Sequence, residues 1–394
     1  MTCSLCYHDK SVEFLNLGRQ PLANKYPRTK EEFEAEDFFP LAIFFCPRCK
    51  NVQLGTIVSR ERMFEDYYYL SSVNPGLVRH FEALAKQLSR AAFVVDIGSN
   101  DGILLKPLKE LGIKAIGVDP SINVSKIANG AGLTTIVSFF DTETAREVRE
   151  KHGTPDVVVA SSIFTHLENP HKFIEAVKEL MADSGQFIIE VEYIGNILKN
   201  VQFERFYLDR IFYYSLTSLK HLFEAHGMHI ADVEEIEPHG GSIRVVAFKQ
   251  GNGPEPSDRV RNFIEAEEKS LSLGRLAEFK HSVDTHVEAL RDKLLEYKKS
   301  DLKVAGYGAP ARVATICNYG NIGASHIKFI VDDSPLKQNR FSPGTHIPIV
   351  ASGHLEIDRP DILVVFAYEY LEDIKRKTRG GFRYLLPIPP SEVM

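Results

Sequence analysis

The chain has 394 residues, of which 44% are hydrophobic and 25% charged, the make-up of an ordinary globular protein with room for two or three domains of about 150 residues each. A formal net charge of −6 without a basic stripe excludes a general nucleic-acid binder. No run of about 18 apolar residues reads as a membrane span.

The first stretch, "MTCSLCYHDK", lacks the apolar h-region of a secretory signal, so a cytoplasmic protein is expected. Four of the five cysteines form two pairs near one end, Cys3-x2-Cys6 and Cys46-x2-Cys49. Four thiolates at this spacing predict a closed, tetrahedral, structural Zn²⁺ site, the alternative being free thiols on neighbouring strands. The long connection "GRQPLANKYPRTKEEFEAEDFFP" reads as a loop, and the isolated Cys317 as a core residue. Next comes "FEDYYYLSSVNPG", where Tyr69 either lines a polar site or belongs to a domain junction, with a break expected at Pro75 and Gly76.

From about Arg79 helix-like and strand-like segments alternate. The strands "FVVDIG", "KAIGVD", "TTIVSF", "PDVVVASS", "GQFIIEVE" and "SIRVVAFK" are near-continuous apolar runs, which predicts an α/β fold with a parallel sheet covered on both faces. In "VVDIGSNDG" a strand passes through a glycine turn into a helix-like run, the pattern of a nucleotide-type site. Asp96 stands where a dinucleotide fingerprint needs its first glycine, and Asp101 adds a second carboxylate. Two carboxylates repel a pyrophosphate and suit a cation, so the expected cofactor is S-adenosylmethionine (SAM), with a nicotinamide cofactor or a turn that binds nothing as alternatives. Asp96, Gly98, Asn100 and Gly102 form the predicted cofactor turn. Asp119 closes the second strand, where it can accept hydrogen bonds from a ribose, and Pro120, Phe140 and Ser161 are further cofactor candidates at strand ends.

Past the fourth strand, "SSIFTHLENP" places His166 near the cofactor as a general base, a substrate hydrogen-bond partner or a helix-capping surface residue. "FERFYLDRIFYYSLTSL" gathers Tyr207, Asp209 and Arg210 as either site groups or a solvated loop. In "PHGGSIRVVA", His239, Gly241, Ser242 and Arg244 form a substrate-facing turn or a plain hairpin turn. "GNGPEPSD" reads as a linker, followed from Val260 to about Lys299 by a helix pair with Gly274 as its break. The last block has strand signals at "KVAGYG", "HIKFIVDD", "DILVVFAY" and "YLLPIP". There "GYGAPAR" offers helix-end amides and Arg312 as a diphosphate cradle, with Tyr307, Lys337 and Arg340 nearby.

Taken together, the paired cysteines, "DIGSNDG", "HGGSIR", "AGYGAPAR" and "VDDSPLKQNRFSPGTHIPI" resemble the SAM-dependent sugar C-methyltransferases that act on nucleotide-linked 4-keto-deoxysugars. The likeness covers nearly the whole chain. It implies a zinc-binding domain at 1–75, a Rossmann-like methyltransferase core at 76–250 and a C-terminal α/β domain at 251–394 that helps hold the nucleotide diphosphate. Nothing in the sequence specifies an oligomeric state. The resemblance further implies removal of a proton beside the sugar ketone and attack of the enolate on the sulfonium methyl. The family's catalytic loop reads Tyr-His-Glu-His with the last histidine as base; here it reads Tyr207, Leu208, Asp209, Arg210. Arg210 cannot serve as a base, so His166, Tyr207 or Asp209 takes the proton, or the methyl goes to oxygen or nitrogen of a similar sugar, or the protein binds without turnover.

Overall fold

The computed structural model describes residues 1–59 and 70–393, with the His239 side chain outside the description. Tyr69, a predicted substrate contact, lies outside the described residues, as does most of the tyrosine cluster around it.

The N-terminal strands β1 (Val12–Pro21), β2 (Phe38–Phe45) and β3 (Val52–Leu54) pair antiparallel, so both ends of the predicted long loop are strand. Leu15, Leu17, Leu41, Ile43 and Phe45 supply its buried face. The expected break at Pro75 is instead a helix start: the Asn74 side chain accepts from the Gly76 and Leu77 amides, and proline occupies the first turn of the helix Pro75–Gln87.

The core follows with β4 (Phe93–Ile97), β5 (Lys114–Asp119), β6 (Thr135–Val137), β7 (Val157–Ser161) and β8 (Gln186–Glu192), all parallel. β9 (Phe212–Tyr213) leaves this sheet and pairs with β3, completing the N-terminal sheet. β10 (Met228–Ile236) and β11 (Ser242–Lys249) form a hairpin that adds to β8, giving the seven-stranded order β10-β11-β8-β7-β4-β5-β6. Here the all-parallel expectation fails: the short turn at Pro238–Gly240 sends β11 back antiparallel to β10, and it fills the place between β10 and β8, antiparallel to both. "HIADVEEI" alternates apolar and polar residues at a sheet edge, a weaker signal than the buried runs.

The helix pair spans Asp258–Ser270 and Leu273–Lys299. Its break is not at Gly274 but two residues earlier, where Ser272 caps the second helix by accepting from the Arg275 amide. The C-terminal sheet contains β12 (Val304–Tyr307), β13 (Ile330–Val331), β14 (Arg340–Phe341), β15 (Pro348–Val350), β16 (Ile362–Val365), β17 (Arg383–Pro387) and β18 (Pro390–Val393). Its order, β14-β15-β13-β12-β16-β17-β18, is parallel apart from β14 and β18 at the two edges. Among the described residues no helix is long and apolar enough to cross a membrane.

Candidate active site and metal centre

Each cysteine pair closes the same knuckle. The Tyr7 amide bonds the Cys3 carbonyl at 2.9 Å and the Lys50 amide bonds the Cys46 carbonyl at 2.9 Å. The residue after each pair turns left-handed, Tyr7 at φ +57° and Lys50 at φ +60°. The four sulfurs converge within 4.8 Å of one another, with Cys3 to Cys49 at 3.6 Å and Cys6 to Cys46 at 3.5 Å. Four thiols, with no other donor in the cluster among the described residues, fit a tetrahedral Zn²⁺ with no open position, so the metal here is structural. Asn51 donates to Cys3 Sγ at 3.7 Å, which steadies the thiolate.

At the ends of the parallel strands lies a cleft of about 1620 Å³. Asp96, Gly98, Asn100, Asp119, Pro120, Phe140 and Ser161 all line it. Gly98 adopts φ +78°, and a Cβ there would stand 2.2 Å from Ile163 Cγ2, so only glycine fits. The Asp119 carboxylate organises the turn, accepting from the Asn100 amide and the Ser121 amide, each at 2.9 Å. The buried Ser161 Oγ has no partner among the described residues, a donor that suits a polar cofactor atom. Burial, with the charges of Asp119 and Glu190 beside it, pushes the Asp96 carboxyl up to about 8.

Two parts of the predicted turn serve the scaffold instead. Asp101 does not line the cleft and accepts from the Ser72 amide at 3.1 Å and its hydroxyl at 2.5 Å. Gly102, at φ +86°, packs against Leu133 and does not line the cleft.

His166, Tyr207, Asp209 and Arg210 line the next stretch of the same cleft. His166 Nδ1 meets the Asp209 main-chain carbonyl, an acceptor only, so Nδ1 carries a proton and donates there. Asp209 Oδ2 accepts from Asn24 Nδ2 at 2.7 Å, and burial raises the Asp209 carboxyl above the usual range. Arg210 lies over the Tyr207 ring at 4.9 Å and pairs with Glu192. Burial likewise raises the Tyr207 phenol, which keeps it protonated as a donor.

Of the predicted substrate groups, Arg312 and Lys337 line the far end of the cleft with Arg340. Three others do not reach it. Ser242 Oγ donates to the Pro238 carbonyl at 2.9 Å, closing the hairpin turn; Gly241 packs against Asn196; Tyr307 points its hydroxyl at Asp333, 3.3 Å away. Arg244 does line the cleft, but its guanidinium is taken up by Glu190, Glu234 and Gln87, which leaves it a poor phosphate partner.

Sequence reasoning missed Asn24 and Tyr26, which enter the cleft from the N-terminal unit, and His80, Glu190, Arg205 and Glu369. One signal was present: "FIIEVE" puts two carboxylates on a buried central strand, and Glu190 and Glu192 are 3% and 4% exposed. Glu192 pairs with Arg205 at 3.2 Å as well as Arg210, and Arg205 reaches Glu369 at 2.7 Å, with Arg312 on the same carboxylate.

Comparison with known proteins agrees with this organisation. Family profiles match residues 3–64 as a zinc-binding domain, 69–233 as a methyltransferase domain and 237–389 as a C-methyltransferase C-terminal domain. The C-methyltransferase NovU of Streptomyces niveus is 31% identical over all of this chain and 96% of its own length. A ubiquinone biosynthesis O-methyltransferase of Azorhizobium caulinodans is 28% identical over 30% of this chain and 49% of its own. A solved SAM-dependent methyltransferase from Archaeoglobus fulgidus aligns with 43% of this chain and 94% of its own at 20% identity and a TM-score of 0.36. With its four-thiolate metal centre, its glycine turn and a full-length relative of this kind, the chain belongs to the zinc-binding, SAM-dependent C-methyltransferase family.

Proposed function

We propose that the enzyme C-methylates a nucleotide-linked 4-keto-deoxysugar, with the chain divided into a zinc unit (1–75), a SAM-binding core (76–250) and a nucleotide-sugar unit (251–394). The observation that carries this reading is the continuity of the cleft, which leads from the Asp96–Gly98 turn past His166, Tyr207 and Arg210 to Arg312, Lys337 and Arg340.

Asp96, Gly98, Asn100, Asp119 and Ser161 would hold SAM, which when bound supplies an electrophilic methyl on its sulfonium. His166, oriented by the Nδ1 contact and acting as the neutral imidazole, takes on Nε2 the proton from the carbon beside the ketone, and the C–H electron pair becomes the enolate. Tyr207 donates its hydroxyl hydrogen bond to the enolate oxygen, and the fixed positive charge of Arg210 favours the same oxyanion. Arg312, Lys337 and Arg340 meet the diphosphate.

The test incubates the full-length enzyme with SAM and a dTDP-4-keto-6-deoxysugar in deuterated buffer. The expected result is exchange of the α-hydrogen and a new methyl on carbon. A methyl found on oxygen or nitrogen, or no exchange and no product with nucleotide keto-sugars, overturns the reading.

A further inference from the structure

We propose that Asn24, carried by the zinc-bearing unit, is a positioning residue of the active site: its amide holds the Asp209 carboxylate, and through the Asp209 carbonyl it fixes His166 in the Nδ1-protonated tautomer. The inference rests on the reading of His166 as the base.

The segment between β1 and β2 does not return directly to its own sheet. It crosses to the C-terminal unit and is tied there at several points. Tyr26 Oη donates to the Ala309 carbonyl at 2.7 Å, and the Phe341 amide donates to the Pro27 carbonyl at 2.9 Å. Further along, Phe33 stacks on His346 with ring centroids 3.7 Å apart, and Glu36 accepts from the Gly344 amide at 3.0 Å while pairing with His346. Strung between β1 and these anchors, Asn24 has little freedom to be elsewhere.

Asn24 Nδ2 lies 2.7 Å from Asp209 Oδ2 across 185 positions of sequence. Asp209 is 5% exposed, and a carboxylate so buried needs a donor. The adjacent Arg210 pairs with Glu192, while Tyr26 and Tyr207 remain protonated beside it. Asn24 therefore anchors the short loop whose next link is the Asp209 carbonyl, the acceptor that selects the His166 tautomer. The metal-bearing unit thereby contributes to the chemistry without touching the reacting atoms. A displaced base of this kind lowers turnover by roughly a hundredfold or less.

The test uses full-length Asn24→Ala and Asn24→Asp. Asn24 is solvent-exposed, so its truncation opens no cavity in a core, and circular dichroism of each variant checks that the fold is kept. Nitrogen-15 NMR of histidine-labelled enzyme, without substrate, reads the His166 tautomer; steady-state kinetics and calorimetry read kcat and SAM affinity. Support consists of loss of the His166 Nδ1–H signal in Asn24→Ala with SAM affinity unchanged, a kcat lowered roughly tenfold to a hundredfold, and a larger loss in Asn24→Asp, which sets a like charge against Asp209. Retention of the Nδ1–H signal in Asn24→Ala overturns the proposal whatever turnover does. Because that signal is read without substrate, it decides the matter even where the wild-type enzyme fails to exchange the sugar α-proton, a result that sinks the functional reading alone.

Discussion

Arg210, on the wall of the cleft, forms an ion pair with the buried Glu192 behind it, with Arg205 on the same carboxylate. Arg210 is therefore part of an alternating ladder, Arg210–Glu192–Arg205–Glu369–Arg312, that links the core to the C-terminal unit. Removing one partner of a buried pair strands the other. Arg210→Met is expected to destabilise the protein by about 3 kcal/mol, the lower end of the range for such losses because Arg205 remains on Glu192. Denaturant unfolding measures it, and an unfolding free energy within about 0.5 kcal/mol of wild type would show that the pair contributes little.

Gly98 has no room for a side chain. In Gly98→Ala the new methyl meets Ile163 at 2.2 Å on a backbone at φ +78°. The turn must shift, and SAM affinity is expected to fall at least tenfold by calorimetry, about 1.4 kcal/mol. Shortening Ile163 to Ala in the same chain relieves the collision but not the backbone strain, so the double variant should recover only part of the loss.

Asp96 gives SAM binding a pH dependence. Its carboxyl lies at about 8 in the folded protein, against about 4 in the unfolded chain, because burial and the neighbouring acids oppose its charge. A carboxyl raised on folding makes the ligand-free protein less stable as pH climbs from about 4 to about 8. A cationic cofactor favours the ionised form, so SAM should bind more tightly as pH rises toward 8 and then level off. Below that, binding should release a proton, seen at pH about 7 as a dependence of the calorimetric heat on buffer ionisation enthalpy. Asp96→Asn should abolish that dependence; its persistence would assign the proton elsewhere.

Metal removal should act on turnover before cofactor affinity. The thiolate cluster ties the first sheet together, and that sheet includes β9, which begins two residues after Arg210. Chelation of Zn²⁺, or Cys46→Ser, is expected to lower kcat at least tenfold while SAM titrations stay within about threefold of the native enzyme, in line with the modest-to-large losses seen when a metal site's supports are removed. Full turnover with metal absent by elemental analysis would contradict this.

Much of the fold was legible because its signals were local. "FVVDIGSNDG" declares a buried strand and a glycine turn within ten residues, and the cysteine spacing defines the metal knuckles. The edge strand β10 was not legible, since half-polar alternation next to a turn competes with loop composition. At the site, His166, Tyr207, Asp209 and Arg210 could be grouped because they follow strand ends of one sheet. Asn24 and Glu369 could not, since they reach the cleft from other units through contacts 185 and 164 positions apart in sequence. Asp101 misled because acidity was read as ligand chemistry, when its carboxylate in fact caps the Ser72 turn.

The pairing of β3 with β9 also bears on how the polypeptide is made. Synthesis delivers the cysteines first, but the strand that covers the free edge of β3 emerges only once residue 213 has left the ribosome. Until then the nascent chain carries an unpaired ribbon edge, the kind of surface that invites association with other chains. A fragment ending near residue 75 inherits that exposed edge permanently, which makes the metal-binding segment a poor candidate for isolated expression.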